Sequence, residues 1–289
     1  MARIIIIGAS GDLGRPLSKL AAEQGWETVG TYLSHPEIGG GQPMPLDICD
    51  EAAIKTLFRR FFPDVVIHSA VSERSPDMGR VIPRGAHIVA EAARSVGARL
   101  ISLSTDMIFD GRNPPYDEDS SPAPLGDYGE AKVQAEHLTL MAYPAALIVR
   151  TSLIYELDPR NRQVSWMLDA IAEGRPVTLF EDEVRQPIWG PNLAEALLEL
   201  AMLDVRGILN VAGASPISRL DYGSALLAAL GYAPKRVAVS VRAAEVAPNR
   251  PRNCTMRLDR VCALLSTPLL SVPAVLRPPN LDHDQPVIG

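Results

Sequence analysis

The sequence predicts an α/β protein: a doubly wound parallel sheet of the Rossmann type with a smaller C-terminal substrate-binding lobe. Three observations predict it. Short β-branched apolar runs alternate with helical runs from residue 3 to about residue 155. The first of these runs, "RIIII", empties into a glycine-rich turn, and the alternation loosens after "LIYELDPRNRQ". Apolar runs without alternation mark strands buried on both faces, and right-handed βαβ crossovers then place helices on both sides of the sheet.

The elements follow in order. "RIIIIG" reads as the first strand, and "RPLSKLAAEQG" as a helix with Pro16 near its start and Gly25 at its end. "WETVGTYLS" is the second strand, a short third strand precedes "LDICD", and "EAAIKTLFRRF" is helical. "DVVIHSAV" is again a buried strand, "HIVAEAARSVG" a helix closed by Gly97, and "RLISLSTDMIF" a strand. A helix opening at Tyr128 runs through "VQAEHLTLMAY", and "AALIVRTSLIY" is the next strand. Residues 1–155 therefore form the expected dinucleotide-binding domain. Residues 156–264 form a mixed α/β lobe, some of whose elements could return to the main sheet. In it "VSWMLDAIAEG", "NLAEALLELAML" and "SRLDYGSALLAAL" are helical, the last with Ser218 and Asp221 spaced as a capping box, and "PVTLF" and "GILNVAG" are strands. Residues 265–289 are a proline-rich tail, extended, packed on the body or partly disordered.

A chain of 289 residues can bury a substantial core, and its 47% hydrophobic content excludes disorder as a whole. The formal charge of -6, with no basic run longer than Arg59–Arg60, argues against nucleic acid as a partner. Cys49, Cys254 and Cys262 are too few and too scattered for a disulfide framework or zinc site, so buried free thiols are expected. The histidines share no metal-ligand spacing, so no metal is expected. His68 reads as a strand-end core residue, and Trp166 and Met167 as core packing. The N-terminal apolar run is far short of the ~20 residues that cross a bilayer. The expected setting is cytoplasmic, with no membrane association.

"GASGDLG" carries Gly8, Gly11 and Gly14 between the first strand and the first helix. Glycine there permits a tight turn, the approach of backbone N–H groups to a pyrophosphate, and a close seat of helix on sheet. Ser10, Asp12 and Leu13 complete that candidate loop; the competing reading is a purely structural turn. At the end of the second strand, "GTYLSHP" has Tyr32 and Ser34 but no acid before Glu37. A carboxylate there would bind the ribose hydroxyls of NAD; without one, NADP(H) is favoured and NAD(H) stays open. Asp47, with Ile48 beside it, could accept from the adenine amine or simply hold a turn, and Asp50 reads as a helix cap.

Ser104 and Thr105 end the strand "RLISLST", at the edge where doubly wound folds bind ligands, and Tyr128 and Lys132 lie one helical turn apart in "YGEAK". A strand-end hydroxyl, a phenol and an ammonium can converge on one carbonyl. Tyr128 would then donate a proton, Lys132 would hold the cofactor ribose and favour phenolate, and Thr105 would hydrogen-bond the developing oxyanion. The competing reading is a solvated helix face.

With glycine loop, strand-end hydroxyl and Y-x-x-x-K in that order, the chain resembles the extended short-chain dehydrogenase/reductase superfamily. "STDMIFDG", then "YGEAK" and "DEVRQPI", is similar to its dTDP-4-dehydrorhamnose reductase-like, sugar-nucleotide-binding group, over residues 3 to 262. The resemblance implies that Ser69, Ala70 and Val71 cover the cofactor. It implies that Met107, Phe109 and Leu153 belong to the sugar pocket, and that Arg185, Arg250 and Arg252 face an anionic substrate, a nucleotide sugar. Reduction of a ketone on a nucleotide-linked deoxysugar is the activity implied. A non-catalytic NADP-binding regulatory subunit, like that of methionine adenosyltransferase, and an epimerase or dehydratase are the alternatives. The protein could be a homodimer. Three departures stand out: Met107 replaces the group's tyrosine, Leu153 its tryptophan, and "GRVIPRGAH" lacks the superfamily's helix asparagine.

Overall fold

The structure, a computed structural model, describes residues 1–70 and 76–276. Val71 and the end of the tail lie outside the described residues. Along the chain run β1 (Arg3–Ile7), α1 (Gly14–Glu23), β2 (Glu27–Tyr32), β3 (Gln42–Pro45), α2 (Glu51–Phe61), β4 (Val65–His68), α3 (Met78–Val96) and β5 (Arg99–Thr105). After these come α4 (Asp127–Ala142), β6 (Leu147–Thr151), β7 (Ile154–Tyr155), α5 (Arg162–Ala172), β8 (Val177–Phe180), β9 (Val184–Arg185) and β10 (Ile188–Trp189). The remaining principal elements are α6 (Gly190–Ala201), β11 (Gly207–Asn210), β12 (Ile217–Ser218), α7 (Arg219–Ala229) and β13 (Ala238–Val241).

Seven parallel strands in the order β11-β6-β5-β4-β1-β2-β3 form the Rossmann-like sheet. The order reverses between β1 and β4, and such a switch point opens a crevice at the carboxyl ends of the strands. All four β1 isoleucines are fully buried and split by pleat parity: Ile4 and Ile6 pack with Leu17 of α1 and Leu197 of α6, Ile5 and Ile7 with Phe58 of α2 and Val89 of α3. Burial on both faces explains why this strand shows no apolar–polar alternation.

β11 leaves the lobe segment to extend the sheet beside β6. The run "AALIVRTSLIY" is two strands: β6 stays in the sheet, and β7 pairs with β10. β5 ends at Thr105, where a 3-10 turn over Asp106–Ile108 begins. α3 begins at Met78 rather than His87 and passes through Pro83, whose nitrogen has no proton to offer the Gly79 carbonyl. Within it, Gly85 lets the helix approach Ile48: a Cβ there would lie 2.6 Å from Ile48 Cδ1. β13 is an addition to the expected elements, pairing with β8. The lobe has its own core around Tyr155, Met167, Leu179 and Leu226, and the tail reaches it with buried Val272 and Leu276. The cysteines are free, but only Cys254 is buried; Cys49 is half-buried and Cys262 exposed. No described helix is long and apolar enough to cross a membrane.

Candidate active site

A cleft of about 890 Å³ lies at the carboxyl edge of the sheet, bounded by the glycine loop, the ends of β2, β4, β5 and β6, and the lobe. Its glycines differ in kind. Gly8 has φ +89° and sits so close to β4's exit that a Cβ would lie 2.7 Å from Ala70 Cα and N. Gly14 seats α1: a Cβ there would meet the Gly8 carbonyl oxygen at 2.1 Å. Among the described residues a Cβ on Gly11 would meet only that same oxygen, at 3.3 Å, so this glycine holds space in the cleft rather than packing. α1 has no side-chain cap and no acid in its first turn, which leaves its N-terminus suited to an anion. Loop, vacant Cβ position and uncapped helix together fit a pyrophosphate.

Asp47 and Ile48 line the cleft, and Asp47 Oδ1 accepts the Cys49 N–H at 2.8 Å. Asp50 caps α2, accepting the Ala53 N–H at 2.9 Å. Asp12 reaches across to the lobe, its carboxylate accepting the Arg162 N–H at 3.2 Å and 3.3 Å. Tyr32, Ser34, Ser69 and Ala70 also line the cleft, with Ser69 Oγ donating to the Ile7 carbonyl at 3.0 Å.

Thr105, Tyr128 and Lys132 all open onto the same cleft. Thr105 Oγ1 accepts the Met107 N–H at 3.2 Å, and its own proton meets only a 3.5 Å contact with Asp106. Ser104 Oγ is buried with no hydrogen-bond partner among the described residues. Tyr128 stands in the first turn of α4 and packs near Ile82 and Ala131. Lys132, 6% exposed, donates from Nζ to the Leu103 carbonyl at 2.5 Å. Burial pulls its pKa down to about 8, with Glu136 acting in the opposite direction. Burial, and Lys132 nearby, lower the pKa of His68 to about 3, so that imidazole is neutral at physiological pH.

The glycine inside "YGEAK" lets the first turn of this helix sit close against the turn at Met107. A Cβ on Gly129 would lie 2.4 Å from the Met107 carbonyl oxygen and 2.7 Å from Pro124 Cβ. Helix propensity favours alanine over glycine by ~1 kcal/mol, whereas forcing an extra carbon into packed structure costs ~1–3 kcal/mol. Gly129→Ala is therefore expected to lower the thermal midpoint. An unchanged or raised midpoint in a calorimetric scan would show that the Met107 turn yields freely.

The side of the cleft formed by β9 and the segment around Arg250 is a charged wall. Arg185, on β9, is buried and donates to Asp106 through Nε at 2.8 Å and also through Nη2; its Nη1 lies 3.4 Å from Glu183 and 3.2 Å from Met107 Sδ. Asp106 also accepts from Ser152 Oγ at 2.6 Å. Arg250 donates to the fully buried Glu183 at 2.9 Å and 3.1 Å and lies over the Phe180 ring. Burial by itself would raise the Glu183 pKa; the bonds from Arg250 and the charge of Arg185 outweigh it and hold the group ionised.

Two expected substrate residues are elsewhere. Phe109 is fully buried, stacked on Tyr116 at 4.1 Å between centroids, because the strand ends at Thr105 and the following turn sends its ring into a small separate core. Arg252 does not line the cleft; its Nε lies 3.9 Å from Asp182. Met107 and Leu153 do line it. Trp166, read from sequence as core, borders both the lobe core and the cleft, whereas Met167 is core. Gln163 and Arg219 also line the cleft and were not anticipated. Arg219 directly follows a helix-capping serine, and in "SRLD" only the cap leaves a local signature.

This sheet, with a glycine loop at its switch point and a strand-end hydroxyl and Y-x-x-x-K facing it, defines an extended short-chain dehydrogenase/reductase. More narrowly, the chain belongs to the RmlD substrate binding domain family, whose model matches residues 2–273. It is 33% identical over 248 residues to the dTDP-4-dehydrorhamnose reductase of Mycobacterium tuberculosis, covering 81% of this chain and 78% of the relative. It is 38% identical over 165 residues to methionine adenosyltransferase 2 subunit beta of Xenopus laevis, covering 53% of this chain and 47% of that one. Among solved structures, dTDP-4-dehydrorhamnose reductase from Bacillus anthracis in complex with NADP superposes with a TM-score of 0.81 at 23% identity, over 96% of this chain and 98% of that one. At that identity the likeness speaks for the fold.

Proposed function

We propose that this protein is a reductase of a ketone on a nucleotide-linked deoxysugar, working with a nicotinamide cofactor. The observation that carries the proposal is that a phosphate-fitting loop and the Thr105, Tyr128, Lys132 set open onto one cleft. The reductase relative of similar length supports it. When bound, the cofactor supplies the hydride. Tyr128 gives its phenolic proton to the carbonyl oxygen, and the Lys132 ammonium stabilises the phenolate left behind. Thr105, its oxygen engaged by the Met107 N–H and its O–H held only by a long 3.5 Å contact with Asp106, turns that O–H to the oxyanion. Gly8, Gly11 and Gly14 hold the pyrophosphate side. NADPH consumption across a panel of nucleotide 4-ketosugars tests the proposal, and no turnover with any of them would refute it.

NADP(H) is the cofactor we favour. β2 ends at Tyr32 without an acid, and Arg15 and Arg160 line the same cleft. Titration by fluorescence transfer should show NADPH binding at least as tightly as NADH. A tenfold preference for NADH, ~1.4 kcal/mol, would reverse the assignment.

A regulatory subunit is the second reading. Met107 and Leu153 at the cleft, in place of the aromatics of the reductase group, favour it, as does the likeness to methionine adenosyltransferase 2 subunit beta. It predicts cofactor binding without turnover of any ketosugar, and an effect seen only on a partner enzyme.

A further inference from the structure

Six arginines line the cleft: Arg15 and Arg162 pair with Asp12 and Arg160 with Asp158, and the wall around Glu183 presents the other three, Arg185, Arg219 and Arg250. Asp106 engages Arg185, and Glu183 engages Arg250 while also lying near Arg185, so two carboxylates answer two of the three charges. Arg219 has no ion pair among the described residues. Its Nη1 donates to Gln163 Oε1 at 3.2 Å, and its guanidinium carbon lies 5.3 Å from the centroid of the fully buried Tyr222 ring. A neutral amide and an aromatic face orient a guanidinium without neutralising it. Glu183 acts on Arg219 only from a distance, and its carboxylate is already bound by Arg250. The wall thus carries one unmatched positive charge, held in place, partly out of water and open to the cleft.

We propose that Arg219 is the anion anchor of the cleft, gripping the diphosphate of a nucleotide-linked substrate, while Arg185 and Arg250 hold the shape of the wall. The inference rests on the sugar-nucleotide reading above. Arginine's planar fork suits phosphate oxygens, and each charge-assisted bond gains strength where water is excluded. Gln163 is a positioning residue here: it holds Nη1 so that the opposite edge of the fork faces the ligand.

The test is calorimetric titration of dTDP and of UDP into protein saturated with NADP+, which keeps the probes off the cofactor loop. Arg219→Met keeps the contact with Tyr222 and removes the charge; it should weaken the tighter probe by about 10- to 100-fold, the range for hydrogen bonds to charged groups. Arg252→Ala, away from the cleft, should leave the affinity unchanged. If Arg219→Met does not fold, Arg219→Lys keeps the charge and loses the fork, and about a tenfold weakening is expected. Equal affinity in wild type and the Arg219 variant overturns the anchor and leaves the sugar-nucleotide reading standing. An equal loss in Arg252→Ala overturns it too, since general charge would then suffice. If the wild type binds neither probe, the anchor and the sugar-nucleotide reading both fall.

Discussion

Tyr128→Phe should bind NADPH almost as tightly as the wild type and turn over ~10²- to 10⁴-fold more slowly, the loss typical of a missing general acid. The substitution removes one oxygen and keeps the ring that packs near Ile82 and Ala131, so the first turn of α4 should stay in place. Lys132→Ala should weaken both binding and turnover. Its Nζ is anchored to the Leu103 carbonyl beneath the cleft, and its pKa of about 8 leaves it charged at neutral pH. Single-turnover kinetics with the best ketosugar separate the two effects. Full activity in Tyr128→Phe would leave the tyrosine and lysine as neighbours on a helix and remove the mechanism.

Glu136→Ala is expected to destabilise the fold by ~3–5 kcal/mol, because it strands a buried charge. Glu136 lies one turn beyond Lys132 on α4 and accepts from Arg150 of β6 at 3.1 Å and 2.9 Å; the two side chains are 7% and 2% exposed. Arg150 also lies over the Phe109 ring and donates to the Glu118 carbonyl at 3.2 Å. The pair therefore ties α4 to the sheet. The double variant Glu136→Leu with Arg150→Met should recover much of the loss, since well-packed apolar residues often replace a buried ion pair at little cost. Equilibrium denaturation of the wild type and the two variants measures this. A loss below ~1 kcal/mol in Glu136→Ala would mean that water reaches the pair.

Much of the site was legible along the chain because its chemistry is local. The loop's glycines answer to turn and packing sterics within seven residues, and Y-x-x-x-K to one helical turn, so both motifs point to the cleft before any tertiary contact is known. Phe109 misled for the opposite reason. Its place in "STDMIFDG" looks like a pocket position, but its direction is set by the turn after Thr105 and by Tyr116, seven residues further on. Arg250 and Arg252 look equivalent in "NRPRN", yet one borders the cleft and the other faces Asp182.

By itself the sequence determined the doubly wound sheet, the glycine loop at its carboxyl edge, and the residue types Thr105, Tyr128 and Lys132 that line the cleft there. Each follows from periodicity, glycine spacing or residue type within a single element. Only the tertiary structure decided that β11 returns to the sheet, that Asp106 and Glu183 use up the charges of Arg185 and Arg250, and that Arg219 has no ion pair among the described residues. Asp106 and Arg185 are 79 residues apart, and Glu183 and Arg250 are 67 apart. A charge's availability depends on which opposite charges the folded chain brings within bonding distance, and at such separations no local pattern records the pairing.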